Sequence, residues 1–110
     1  MAKRVPLKKI ALKGMVGDLV YKDEYLNALK NPSDPQSGID YEEMARRIPL
    51  IQKIDKAGVG SLVLEDAEHQ VLEQCLRMSK FRQVVPEVFE MITEVVNAED
   101  VAINAEAEAG

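Results

Sequence analysis

Residues 60–81 read GSLVLEDAEHQVLEQCLRMSKF. Leu62 and Leu64 share one side of a short extended run, 61–64. Val71, Leu72, Cys75 and Leu76 then recur at the spacing of a helix face. The stretch predicts a strand that passes straight into a helix running from about Asp66 to Ser79. Asp66 reads as the N-cap, with Glu65 and Glu68 complementing the helix dipole. One short strand must pair with another, so this unit sets a mixed α+β class rather than a plain bundle.

The same stretch holds the only histidine, His69, and the only cysteine, Cys75. Glu65, His69 and Glu73 stand at i, i+4 and i+8, on one stripe of a helix. Tight zinc sites need three or four ligands, mostly His and Cys, and the chain offers no second histidine. His69 and Cys75 lie six residues apart, about 240° around a helix, so they point in different directions. The expectation is no metal, no cofactor and no catalytic residue. His69 is expected on a charged surface and Cys75 in the core, where a free thiol behaves as a small hydrophobe.

The rest of the chain is read outward from there. Val5, Leu7, Ile10 and Leu12 predict a strand over about 4–12, with a slip of alternation at Lys8-Lys9 that suggests a bulge. Gly14 and Gly17 mark a turn, and residues 22–30 a helix. NPSDPQSG, residues 31–38, is a Pro/Ser loop. Asp40 and Glu43 open a helix as a capping box. Its face is Met44, Ile48, Ile51 and Ile54, and Pro49 either kinks the helix or splits it. A last helix spans about 86–97, with Pro86 at its first position and Val85, Val88, Phe89, Ile92, Val95 and Val96 as its apolar face. The acidic, alanine-rich end is expected to fray. The predicted architecture is α+β and predominantly helical. About four helices accompany a small two-stranded sheet, in one domain over 1–97 with a flexible acidic tail over 98–110.

The chain has 110 residues, 46% of them hydrophobic and 30% charged, the profile of one small folded domain rather than a disordered chain. No apolar run approaches the ~20 residues of a membrane span. A lone cysteine forms no internal disulfide, so the expected location is cytoplasmic. The net charge of −5 argues against general nucleic-acid affinity. The charge is uneven, however: residues 1–30 carry seven Lys/Arg against three acids. That basic arm fits an acidic partner or nucleic acid, or the lysine-rich solvent face of an edge strand. Acids adjacent in sequence (Glu42/Glu43, Glu65/Asp66, Glu99/Asp100) diverge on a helix and suit paired acid/base work poorly.

A resemblance enters with the order of these motifs. Pro35 and Gln36 in the loop, Arg46-Arg47-Ile48 in the next helix, then Leu62, Leu64, Glu65, Asp66, Ala67 and Leu72, follow a pattern over roughly residues 21–97. The chain resembles short proteins encoded among the morphogenesis genes of tailed bacteriophages and prophages. Pro49 departs from that pattern, whose helix is uninterrupted. The resemblance implies a non-enzymatic virion-assembly accessory, tail-assembly chaperone-like, in the host cytoplasm. Its partners would be phage structural or tail-assembly proteins, with homo-oligomerisation open. The candidate contact residues are Val84, Val85 and Phe89, with Arg46, Arg47, Lys8 and Lys9. The alternative is a small regulatory protein that uses the basic arm on nucleic acid or an acidic partner.

Overall fold

A computed structural model of the chain describes residues 2–12, 17–31, 36, 38–58, 60–79 and 84–101. In order they form β1 (Ala2–Leu7), β2 (Lys9–Ala11), β3 (Asp18–Val20), α1 (Tyr21–Lys30), α2 (Tyr41–Lys56), β4 (Gly60–Glu65), α3 (Asp66–Met78), α4 (Pro86–Val96) and β5 (Glu99–Val101). The fold is α+β, with four helices and a small sheet, as the sequence predicts.

The predicted partnership of the two strands is present: β1 pairs antiparallel with β4, Val5 opposite Leu62 and Lys3 opposite Leu64. The sheet is larger than expected. Its order is β4–β1–β5, because Glu99–Val101 adds an antiparallel strand opposite Ala2–Arg4. The acidic tail therefore does not begin at residue 98, and the paired part of the chain extends to Val101. Residues 102–110 lie outside the described residues. Nor is the 4–12 segment one bulged strand. It breaks at Lys8, and β2 pairs with β3 in a separate two-stranded sheet, Ile10 opposite Leu19. Gly17, with φ of 112°, takes a left-handed conformation just before β3. Lys13 and Gly14 lie outside the described residues.

Pro6 sits in the middle strand but beyond the three residues that β5 covers. That is a position at which a strand tolerates the missing N–H. Its carbonyl accepts a 2.7 Å hydrogen bond from the buried Tyr25 hydroxyl, which ties α1 to β1. Val5, Leu7, Leu64, Leu72, Leu76, Met91 and Val95 fill the space between sheet and helices together with Tyr21, Tyr25, Leu29, Leu50 and Ile54. Each full burial of such an aliphatic side chain contributes roughly 1.5–3 kcal/mol.

Two helix faces differ from expectation. α2 runs through Pro49 as one helix, and both Pro49 and Ala45 are exposed, so water can serve the carbonyl that the proline leaves unbonded. Its buried residues are Leu50 and Ile54, with Ile51 half-buried, while Met44 and Ile48 face outward. The face is thus rotated from the Met44–Ile48–Ile51–Ile54 stripe. In α4 the most buried residues are Met91 and Val95, and Phe89 stands outside the core. α3 starts at Asp66 itself, so Asp66 is the first helical residue and not its cap. Asp40 does cap α2, accepting from the Glu43 N–H at 2.8 Å.

Replacing Tyr25 by Phe keeps the ring and leaves the half-buried Pro6 carbonyl without that donor. The expected loss is about 1–3 kcal/mol of stability, read as a lower urea midpoint without a change of slope.

Candidate functional site

The basic arm is the first candidate, and its charges meet the chain's own acids. Lys3 and Arg4 lie directly opposite Asp100 and Glu99 in the β1–β5 register. Lys3 Nζ reaches Asp100 Oδ1 at 2.7 Å and Arg4 Nη1 reaches Glu99 Oε1 at 3.3 Å. The hydrogen bond from Lys3 holds the Asp100 carboxyl below its ordinary range. Lys9 pairs with Asp18 across the small hairpin at 3.6 Å. Lys8 reaches Glu94 on α4 at 3.1 Å, and its ammonium lies 5.3 Å from the centre of the Tyr21 ring. Glu94 also accepts from the Tyr21 hydroxyl at 3.1 Å. Burial, with the Glu94 charge second, pushes the Tyr21 phenol up to about 12. Over Lys3 and Arg4 the arm is therefore a middle strand rather than an edge, whereas β2, with Lys9, is an edge of its two-stranded sheet, and the arm's cations among the described residues are paired. β1 is the middle strand, and its acidic complement is Glu99 and Asp100 of β5.

The helical cations do structural duty as well. Arg47, with only 13% of its side chain exposed, donates to the carbonyls of Leu29 and Asn31 at the end of α1. Lys22, near the start of α1, donates to the carbonyls of Asp55 and Ala57 at the end of α2. Each helix of this antiparallel pair thus satisfies the orphan carbonyls of the other and sets a cation at its negative pole. Arg47 is not a solvated side chain. Arg46 is: it is exposed and bonds Glu43 one turn back at 3.0 Å.

His69 is a correction. It is not on a charged surface but buried, 4% exposed, with Nε2 2.6 Å from the Val95 carbonyl. A carbonyl only accepts, so Nε2 carries the proton and donates. The bond joins α3 to the last turn of α4, which the Glu65–His69–Glu73 stripe gives no hint of. Glu73 pairs instead with Arg77 at 3.4 Å, and the Glu65 N–H donates to Glu68, which also takes Lys53 at 2.8 Å. The signal that could have placed His69 is its spacing to Leu72 and Leu76, three and seven residues on. Both are buried.

Cys75 is buried as expected and lines a cleft of about 220 Å³ between the ends of α1 and α3 and the start of α2, with Arg46, Arg47 and Met78. Burial is the largest influence on its thiol and pushes its pKa up, while the Arg47 charge pulls the other way. A thiol so shifted is a poor nucleophile at neutral pH.

The apolar candidates remain. Val84 is 94% exposed and Phe89 70%, and they flank the first turn of α4 with Val85 half-buried between them. A second exposed set, Tyr41, Met44 and Ile48, runs along α2. Among the described residues, no helix is long and apolar enough to cross a membrane. Of the 31–38 loop, residues 32–35 and 37, and so Pro35, lie outside the described residues.

Comparison of the chain with protein-family models, with curated proteins and with solved structures finds no match.

The adjacent arginines offer a direct contrast. Arg47→Met should cost about 1–3 kcal/mol in thermal or urea unfolding, since it strips two carbonyls of their donor, whereas Arg46→Met should stay within about 0.5 kcal/mol of the parent.

Proposed function

We propose that this chain is a non-enzymatic protein–protein interaction module that docks on its partner through the start of α4. The carrying observation is the exposure of Val84 and Phe89 on either side of the first turn, next to a helix whose Val88, Met91, Ile92 and Val95 lie in or against the core. An exposed aromatic flanked by an aliphatic residue is the kind of anchor that dominates interface energetics once water is excluded around it. The polar candidates are engaged elsewhere: His69 on Val95, Arg47 on α1, and Lys3, Arg4, Lys8 and Lys9 on carboxylates of the chain. Those ion pairs favour this reading over a regulatory protein that offers its basic arm to nucleic acid.

The loop, Arg46-Arg47 and LVLEDA motifs carry the likeness to phage morphogenesis proteins. On that likeness the partner is a phage structural or tail-assembly protein. The role is that of an assembly accessory, chaperone-like, in the host cytoplasm. Its mechanism is transient docking that shields an apolar surface of the partner before assembly.

The test measures binding of the purified protein to each structural protein encoded beside it, by pull-down and calorimetry. Phe89→Asp should weaken the complex by about 2 kcal/mol or more, roughly thirtyfold in Kd, with unchanged circular dichroism. Failure to bind any co-encoded structural protein overturns the reading.

A further inference from the structure

The three-stranded sheet has two edges, and they differ. β5 is three residues long and carries Glu99 and Asp100, a short charged edge of the kind that discourages pairing with another chain. β4 is six residues long, GSLVLE, with no proline and no charge before Glu65. Among the described residues, no strand lies on its far side.

The register fixes which β4 groups turn outward. Along a strand, successive residues turn their N–H and C=O to alternate sides. Pro6 stands opposite Ser61 and has no N–H, so the β1–β4 hydrogen bonds fall on Lys3–Leu64, Val5–Leu62 and Leu7–Gly60. Ser61, Val63 and Glu65 therefore face away from β1. Two contacts agree. The Pro6 carbonyl turns to the Tyr25 hydroxyl rather than to β4, and the Glu65 N–H donates to the Glu68 carboxylate of its own capping box. Among the described residues nothing takes the outward backbone groups of Ser61 and Val63, and Ser61 is exposed.

We propose that the outer edge of β4 pairs antiparallel with β4 of a second copy, joining two three-stranded sheets into one. A row of outward N–H and C=O groups is matched by an extended backbone, whose own groups alternate at the same spacing. β4 is such a backbone for itself. A twofold axis at Leu62 sets Ser61 opposite Val63 of the partner subunit, and Val63 opposite the partner subunit's Ser61. Every outward group of both residues is then bonded. Glu65 lies beyond the paired residues, so no charge meets a like charge. The same operation on β5 would crowd Glu99 and Asp100 of both copies. So short a contact buries little surface, and the dimer is weak and concentration-dependent.

Sedimentation over a wide concentration range and cysteine cross-linking test this on the full chain. The parent should dimerise reversibly. Val63→Pro removes an N–H that β1 does not use, and should be monomeric with unchanged circular dichroism. Val63→Ala keeps that N–H and should still dimerise. In a Cys75→Ala background, Leu62→Cys should join to its counterpart under oxidised glutathione, since residues of a non-hydrogen-bonded pair have Cα atoms about 4.5 Å apart. Ser61→Cys should not, because its counterpart stands two residues further along. The cross-link comparison does not depend on how Val63→Pro folds. A parent that stays monomeric to its solubility limit overturns the proposal and leaves the edge to a strand of another protein. So does a dimer that survives Val63→Pro or is lost equally in Val63→Ala, or one that cross-links as readily through residue 61 as through residue 62.

Discussion

The structure depends on β1 having a strand on each side. β4 runs directly into α3, and β5 follows directly on α4, so pairing both with β1 brings the two helices to one sheet. The register does the aligning. Val5 and Leu7, fully buried, point toward Leu64, Leu72 and Val95, and a slip of one residue would turn that set to the opposite face. His69 then bonds the end of α4 from α3, and Tyr25 bonds β1 from α1. The pair α1 and α2 closes the assembly, each helix capping the other's C-terminal end through Lys22 and Arg47.

One consequence concerns function. The groups that would attract a chemist's eye, His69, Arg47, the basic arm and the terminal acids, are used to hold elements together. Individually the exposed ion pairs add little, because water and salt screen them. Their value is specificity: Lys3 with Asp100 and Arg4 with Glu99 accept only one register of β5. Among the described residues the fold leaves large apolar side chains exposed, Val84 and Phe89 at one helix start and Tyr41, Met44 and Ile48 along another helix. The proposed docking role rests on that exposure.

Much of this was legible in the sequence. The strand-to-helix passage at Glu65-Asp66, the start of α4 at Pro86, the cap at Asp40 and the burial of Cys75 all follow from local rules of period and capping. What was not legible is non-local. Glu99–Val101 has the look of a fraying tail, and only its pairing with residues almost a whole chain away makes it a strand. The break at Lys8 likewise depends on β3, a three-residue strand that local pattern merges into α1. The α2 face went astray because Met44 and Ile48 are as apolar as Leu50, and only the positions of α1 and α3 decide which of them is covered. His69 followed the same logic in reverse. Its charged neighbours in sequence outweighed its spacing to Leu72 and Leu76. Of the candidate contact residues, Val84 and Phe89 are exposed and Val85 half-buried, whereas Arg47, Lys8 and Lys9 pair within the chain in ways no local pattern shows.

The central claim is that β1 is the middle strand and that Glu99–Val101 is its partner on one side. Cross-strand proton contacts in a nuclear Overhauser spectrum test it most directly. The account predicts contacts from Arg4 to Val63 on one side and to Glu99 on the other, with Lys3 likewise touching both Leu64 and Asp100. Contacts to β4 alone, with residues 99–101 showing none beyond their own neighbours in sequence, would contradict it.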